Sequence, residues 1–364
     1  MSEPELSKAR ERIDEIDRQL QKLISDRARE AQKVRDIKSR SGAPNDHYRP
    51  AREAEVLRRA IARNQELKGP LSDEVAARLM REIMSACLAL ESPLTVAFLG
   101  PEGTYTQAAV YKHFGHAVAS RAAPAIDEIF RDVESGAATY GVVPIENSTE
   151  GVVSSTLDQL AHTPLSICGE VWLPVHHHLL SNQKRREDIR KVYAHAQSFA
   201  QCRQWLDSKL PNAERIAVAS NGLAAQMVRK LKKGAAIAGQ AAAELYQLGT
   251  LASNIEDDPN NTTRFLVIGR QNPETTGADM TSLVMSAHKD RPGALFELLK
   301  PFADASISLS KIESRPSRRA AWDYNFFIDL EGHQDDAVVK PALELVRERA
   351  AYFKLLGSYP RSKV

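Results

Sequence analysis

Asn260-Asn261-Thr262-Thr263-Arg264-Phe265-Leu266-Val267-Ile268-Gly269 sets two amides, two hydroxyls and a guanidinium directly ahead of an apolar run of strand length. A run of this kind predicts a buried strand, and the residues before it then present polar groups at the strand mouth, where a ligand can be held. The same residues would also serve as a capped turn before an ordinary core strand, because Asn and Thr are common turn formers. The sequence on either side has to decide.

Outward from this stretch, residues 93–271 alternate strand-like and helical runs. Strands are expected at 95–99, 140–144, 165–172, 192–195, 216–219, 235–238 and 265–268, with helices between them. Such alternation predicts an α/β domain with mostly parallel sheets, and two clusters of strands predict two lobes with a cleft. Ligands in such sheets sit beyond the carboxyl ends of strands. Three polar turns stand at such ends: Gly100-Pro101-Glu102-Gly103-Thr104, Pro144-Ile145-Glu146-Asn147-Ser148-Thr149-Glu150-Gly151, and Ala196-Gln197-Ser198-Phe199-Ala200-Gln201-Cys202. The first lacks the Gly-Lys-Ser/Thr ending and the GxGxxG spacing of phosphate loops, so nucleotide binding is not expected. Ser148 and Ser198, taken singly, could be helix N-caps. His176-His177-His178 has no second ligand cluster to pair with, and adjacent residues of a strand point to opposite faces, so a structural or solvent role is expected rather than a metal.

The totals narrow the class. The chain has 364 residues, more than one usual core, and a formal net charge of +2, which gives no global field favouring nucleic acid or a membrane surface. The start, Met1-Ser2-Glu3-Pro4-Glu5, lacks the apolar core of a signal peptide. No apolar run reaches the roughly 20 residues of a membrane span. The cysteines Cys87, Cys168 and Cys202 are too few and scattered for a disulfide framework or zinc site. A cytoplasmic chain is expected.

Before residue 93 the pattern is helical throughout. Leu6, Ala9, Ile13, Ile16, Leu20, Leu23, Ile24, Ala28, Ala31, Val34 and Ile37 recur three or four apart, predicting one helix of about 33 residues, roughly 50 Å long, that ends near Gly42 and Pro44. Further helices are expected after Pro50 and after a Ser72 cap. Two shorter helices cannot cover so long a first one, so a second copy of the chain is expected to complete its burial. Arg27 and Lys38, 11 residues apart, leave one face about 16 Å from each other, while Arg10 lies about 25 Å further toward the start. A solvated basic face is the alternative.

After the linker Asn272-Pro273-Glu274-Thr275-Thr276-Gly277, the order is strand (281–287), turn (Lys289-Asp290-Arg291-Pro292-Gly293), helix (294–302), strand through Ile307-Ser308-Leu309, strand (322–330) and helix (336–349). It suits a ferredoxin-like α+β unit.

These blocks carry family resemblances. Thr263-Arg264-Phe265, with the polar turns at 144–151 and 196–202, resembles the motifs of prephenate dehydratases in order and approximate spacing. The resemblance implies a two-lobed, periplasmic-binding-protein-like α/β domain. It also implies Thr263 as the catalytic hydroxyl, with Asn147, Ser148, Thr149, Gln197, Ser198, Thr262, Arg264 and Phe265 around the substrate. Residues 1–92 resemble the all-helical chorismate mutases, which bind a dicarboxylate between long helices of an intertwined dimer. That implies a site of Arg27, Lys38, Arg52, Glu53, Cys87 and Glu91, with Arg10 from the partner chain. The C-terminal block resembles an ACT regulatory domain. There Gly293-Ala294-Leu295-Phe296 and Glu313-Ser314-Arg315-Pro316 match the segments that hold phenylalanine in dehydratase-linked members, which implies Gly293, Ala294, Leu295, Glu313, Ser314 and Arg315 as effector contacts. The implied organisation is an all-α mutase (1–92), a two-lobed dehydratase (93–271) and a linker with ACT domain (272–364). Together they would make a bifunctional enzyme of phenylalanine biosynthesis, a homodimer that can pair further into a tetramer, with no cofactor or metal and no nucleic-acid or membrane partner.

The chemistry fits the residue types. A Claisen rearrangement of chorismate needs its carboxylates clamped, which arginines do bidentately, and its ether oxygen stabilised, which Lys38 can do. Glu53 can accept from the ring hydroxyl. Glu91 stands where some members have glutamine, and it can donate to the ether oxygen only when protonated. Mutase activity is therefore expected to decline as pH rises through a burial-raised Glu91 pKa, with Glu91→Gln flattening the profile. Cys87 reads as a small core residue beside the site.

Prephenate must lose its ring carboxylate as carbon dioxide and its ring hydroxyl as water, so a donor must reach the departing oxygen. Thr263 reads as that positioned donor, and Arg264 as an anchor for the side-chain carboxylate or a support of the site. The ring carboxylate is expected to lie without a strong cationic partner. Two alternatives remain at this stage: a non-catalytic amino-acid sensor or solute-binding protein built from the same parts, and a dehydratase preferring arogenate.

Overall fold

The computed structural model describes residues 3–40, 48–288, 291–317 and 324–362. The chain divides into two compact units, residues 1–94 with 114–119, and residues 95–113 with 120–364.

The first unit is helical. It contains α1 (Glu3–Arg40), α2 (Pro50–Leu67) and α3 (Asp73–Glu91), and α2 and α3 start where the sequence signals them. Pro50 opens α2 with a preset φ, and Ser72 caps α3 by accepting from Val75 N. α1 runs 38 residues, longer than expected; Gly42 and Pro44, read as its end, lie outside the described residues. Arg35 donates to the Leu90 carbonyl, joining the end of α1 to the end of α3. Segment 114–119 packs here, with Phe114 5.2 Å from the Tyr48 ring and His116 2.8 Å from Glu82.

In the second unit the first lobe contains β1 (Thr95–Leu99), α4 (Tyr105–Phe114), β2 (Ala119–Ala123), α5 (Ile126–Ser135), β3 (Tyr140–Asn147), β4 (Gly151–Val152), α6 (Ser154–His162) and β5 (Ser166–Pro174). The second lobe contains β6 (His178–Ser181), β7 (Lys191–Ala194), α7 (Ala196–Gln201), α8 (Arg203–Lys209), β8 (Glu214–Ala217), α9 (Asn221–Val228), β9 (Gly234–Ala238), α10 (Gln240–Tyr246) and β10 (Gly249–Ala252). The chain then returns to the first lobe as β11 (Thr262–Gly269). The sheet orders are β2-β1-β3-β11-β5, with β4 on β3, and β10-β6-β9-β7-β8.

The sheets are mixed, which corrects the expectation of mostly parallel ones. β1/β3, β7/β8 and β7/β9 are parallel, whereas β11 runs antiparallel to both β3 and β5, and β6 antiparallel to β9 and β10. The physical reason is the return crossing: β11 slots between two earlier strands, an insertion that local periodicity does not register. The two crossings between lobes lie side by side, with Val175 N donating to Asn261 O and Ile255 N to His177 O.

β12 (Asp279–Ser286), α11 (Ala294–Asp304), β13 (Leu309–Pro316), β14 (Tyr324–Glu331), α12 (Val339–Arg349) and β15 (Tyr352–Pro360) follow in the expected ferredoxin-like order, with antiparallel sheet order β13-β14-β12-β15. Lys289, Asp290 and Trp322, placed in a turn and a strand from sequence, lie outside the described residues. One face of this sheet is covered by α11 and α12. The other shares a core with the first lobe, where Met280, Val284, Phe327, Leu356 and Tyr359 join Val143, Leu157 and Ile268. Gly357 permits the approach: its φ is +151°, and a Cβ there would stand 2.3 Å from the Ile167 carbonyl oxygen.

Candidate active sites

A cavity of about 680 Å³ opens between the two lobes. The first lobe contributes Thr104, Tyr105, Asn147 and Thr263, and the second His195, Gln197, Ser198, Gln201 and Asn221, with His177 at the crossing. Among the described residues that line it there is no Lys, Arg, Asp or Glu.

β3 and β11 pair so that Asn147 stands opposite Thr263. Asn147 Oδ1 accepts from the backbone N–H groups of Thr149 and Glu150, both at 3.1 Å, and from Thr149 Oγ1 at 2.7 Å. That fixes which end of the amide faces β11. Asn147 Nδ2 donates to Thr263 Oγ1 at 2.8 Å and to Asn261 Oδ1 at 2.8 Å. With its oxygen accepting this bond, the Thr263 hydroxyl keeps its own hydrogen for the cavity.

The other expected dehydratase residues divide. Gln197 and Ser198 line the cavity; Ser198 lies inside α7, not at its cap, and accepts from Asn221 Nδ2 at 2.7 Å. Ser148 is no helix cap either: its hydroxyl accepts from Thr262 N at 3.0 Å, and Thr262 gives its own hydroxyl to Asn260 O. Thr149 bridges Asn147 to Gln201 Nε2, 3.0 Å away. Phe265 is buried in the first lobe.

Arg264 requires a correction. One step along β11 from Thr263, it points to the opposite face and is only 5% exposed. Its guanidinium donates to Glu170 at 2.9 Å, Asp329 at 2.5 Å and Tyr359 at 3.0 Å, and lies 5.5 Å from the Trp172 ring. Turned away from the cavity and buried among these partners, its guanidinium is not placed to meet a ligand there.

Sequence reasoning missed His177. Its Nδ1 lies 2.8 Å from Tyr105 Oη and its Nε2 2.8 Å from Gln201 Oε1. Burial lowers its pKa below the usual imidazole value, against the opposing pull of the Gln201 hydrogen bond and of Glu256, whose carboxylate accepts from His177 N. Histidines 176 and 178 turn elsewhere, to Glu256 and to Asn254 N. The triplet looked uniform in sequence, and only the hinge between lobes singles out its middle member. Among the described residues no group of His, Cys, Asp and Glu could hold a metal ion.

In the helical unit, Arg27 and Lys38 are half-buried on α1 and Arg10 is exposed. Arg52 pairs with Glu55 on its own helix, and Cys87 is buried in α3. Glu53 lies 3.6 Å from Arg81, and burial pushes its carboxyl up to about 7 although Arg81 and Tyr48 pull it down. Lys38 and Glu91 lie at the two helix ends that the Arg35–Leu90 bond joins. Ile13, Leu23 and Ile37 remain 56, 64 and 65% exposed along α1.

Of the effector positions, Gly293 opens α11 at φ +78°, followed by Ala294 and Leu295, and Glu313, Ser314 and Arg315 lie on β13. The Arg315 guanidinium is held by Asp158 and Ser154 of α6. Its side chain thereby ties β13 to the first lobe.

Family models match in three consecutive stretches: chorismate mutase type II over residues 9–92, prephenate dehydratase over 96–273 and the ACT domain over 281–345. The bifunctional chorismate mutase/prephenate dehydratase of Stutzerimonas stutzeri is 53% identical over 367 residues, covering 100% of both chains. Its counterpart from Pseudomonas aeruginosa is 52% identical, covering 98% of each. The crystal structure of a prephenate dehydratase from Arthrobacter aurescens in complex with L-Phe matches with a TM-score of 0.69 at 36% identity, covering 74% of this chain and 90% of that one.

Proposed function

The chain belongs to the family of bifunctional chorismate mutase/prephenate dehydratases, and from that premise we propose how its residues divide the work. The enzyme rearranges chorismate to prephenate, converts prephenate to phenylpyruvate, and is regulated by phenylalanine through its ACT domain.

The observation that carries the dehydratase assignment is the fixed polarity of the Asn147–Thr263 bond, which leaves the Thr263 hydroxyl a donor facing the cavity. Prephenate binds with its ring hydroxyl against Thr263. As the bond to the ring carboxylate breaks, its electrons enter the ring, the carbon–oxygen bond to the hydroxyl breaks, and one proton taken up makes the leaving group water. Aromatisation drives this strongly downhill, so Thr263 has only to stabilise charge growing on the departing oxygen. The carboxylates meet hydroxyls, amides and the N-terminal ends of α4 and α9, where the helix dipole favours anions. The absence of lining cations leaves the ring carboxylate weakly held, which favours its expulsion as a neutral gas.

The mutase site joins Arg27, Lys38, Arg52, Glu53, Cys87 and Glu91 of one chain with Arg10 of a second. The exposed apolar row on α1 supports a dimer, since each such side chain is worth roughly 1.5–3 kcal/mol once covered. Gly293, Ala294, Leu295, Glu313, Ser314 and Arg315 remain the proposed effector contacts. Three free, buried cysteines suit a reducing cytoplasm.

Purified protein given chorismate, and separately prephenate, tests the reading. Phenylpyruvate should form from both and fall when phenylalanine is added. Prephenate left unconsumed would refute it.

A further inference from the structure

Directly behind the cavity pair lies a second pair. Asn147 and Thr263 face each other on β3 and β11, and the next step of the same ladder pairs Glu146 with Arg264. Successive strand residues point to opposite faces, so the charged pair faces the ACT sheet. There Lys311 of β13 and Asp329 of β14 are themselves register partners. The two pairs meet charge to opposite charge, with Lys311 Nζ 2.7 Å from Glu146 and Arg264 2.5 Å from Asp329. Signs alternate around the four corners, and Arg264, Lys311 and Asp329 are 5, 13 and 13% exposed. Asp329 is further fixed by the Ser282 hydroxyl, which also contacts Tyr359 Oη.

We propose that Lys311 and Asp329 are positioning residues for the prephenate step, setting the placement of Asn147 and Thr263 through Glu146 and Arg264, and that the effector changes turnover by moving this joint. The inference rests on the dehydratase reading above. Charges held this closely in a mostly buried joint lose their attraction steeply with displacement, and close-packed interfaces shift between discrete arrangements rather than stretch. A tilt of β13 or β14 is therefore passed to β3 and β11. β13 is suited to impose it: Lys311, Glu313 and Arg315 share one face, Lys311 and Arg315 both grip the first lobe, and the proposed effector contacts Glu313 and Ser314 lie between them. Displacement of two residues that act only on the departing hydroxyl lowers kcat. Gln197, Ser198 and the α9 terminus lie on the other lobe and leave KM nearly unchanged.

The test uses the full chain carrying Lys311→Met, Glu146→Gln, or both. Prephenate kinetics are read with and without phenylalanine, phenylalanine binding is read by calorimetry, and the mutase rate of each sample reports its integrity. Lys311→Met should lower kcat about three- to tenfold at constant KM and weaken inhibition while phenylalanine still binds; adding Glu146→Gln should lower kcat little further, because both substitutions break the same contact. Wild-type kcat and inhibition in Lys311→Met, a loss confined to KM, or losses that multiply in the double variant would overturn the joint. If the unsubstituted enzyme leaves prephenate untouched, the dehydratase reading fails and the joint falls with it. Should Lys311→Met not fold, Asp329→Asn is judged by the same criteria.

Discussion

Asn147 donates to Thr263 Oγ1 at 2.8 Å from the directly opposite position of the β3–β11 ladder. Backbone N–H groups hold the far end of the amide, so the polarity of this bond is set by the fold rather than by the substrate. Asn147→Asp would put an oxygen where the amide N–H now stands, and Thr263 would turn its hydrogen to that carboxylate. Prephenate turnover should fall about 10²- to 10³-fold, the usual loss when one preorganised donor to a developing oxyanion is removed. Mutase turnover by the same sample should be unchanged.

Glu53, proposed for the mutase site, has its carboxyl raised to about 7 by burial. A raised carboxyl favours the neutral form below that pH, so rising pH ionises Glu53 beside a dianionic substrate. Mutase kcat/KM should fall as pH passes through about 7, and Glu53→Gln should flatten the profile. If Glu91→Gln flattens it and Glu53→Gln does not, the sequence-based expectation for Glu91 is the correct one.

Leu23 is 64% exposed on α1. Leu23→Glu should put a charge into the helix pairing and lower mutase turnover more than tenfold, since buried unpaired charge is costly. Prephenate turnover should stay within about twofold. Retained mutase activity would argue against a site shared between chains.

His177 has its pKa lowered chiefly by burial. A histidine depressed in the fold contributes stability above its unfolded value of roughly 6.5, and that contribution is lost as pH falls through the folded value. The drop in melting temperature between pH 7.5 and 5.5 should therefore be smaller in His177→Gln than in the unsubstituted protein. An equal drop would remove the buried imidazole as its cause.

Much of this was legible before any coordinates. The period of α1, the proline that opens α2, the Ser72 cap of α3 and the apolar run of β11 are local signals, and structure follows them. What local signals do not carry is which strand inserts between which, so the antiparallel return of β11 was missed. The same blindness left Arg264 open between a ligand anchor and a support of the site: its neighbour Thr263 faces the cavity, but strand alternation sends Arg264 toward Asp329, 65 residues later in the chain. His177 escaped for a related reason, since its partners Tyr105 and Gln201 come from different lobes.

The most direct measurement is prephenate turnover by Thr263→Val and Thr263→Ser, with chorismate turnover of each sample as the control. The account predicts a loss of about 10²-fold or more in Thr263→Val, near-normal activity in Thr263→Ser, and unchanged mutase rates. A Thr263→Val enzyme within about threefold of the unsubstituted one would contradict it.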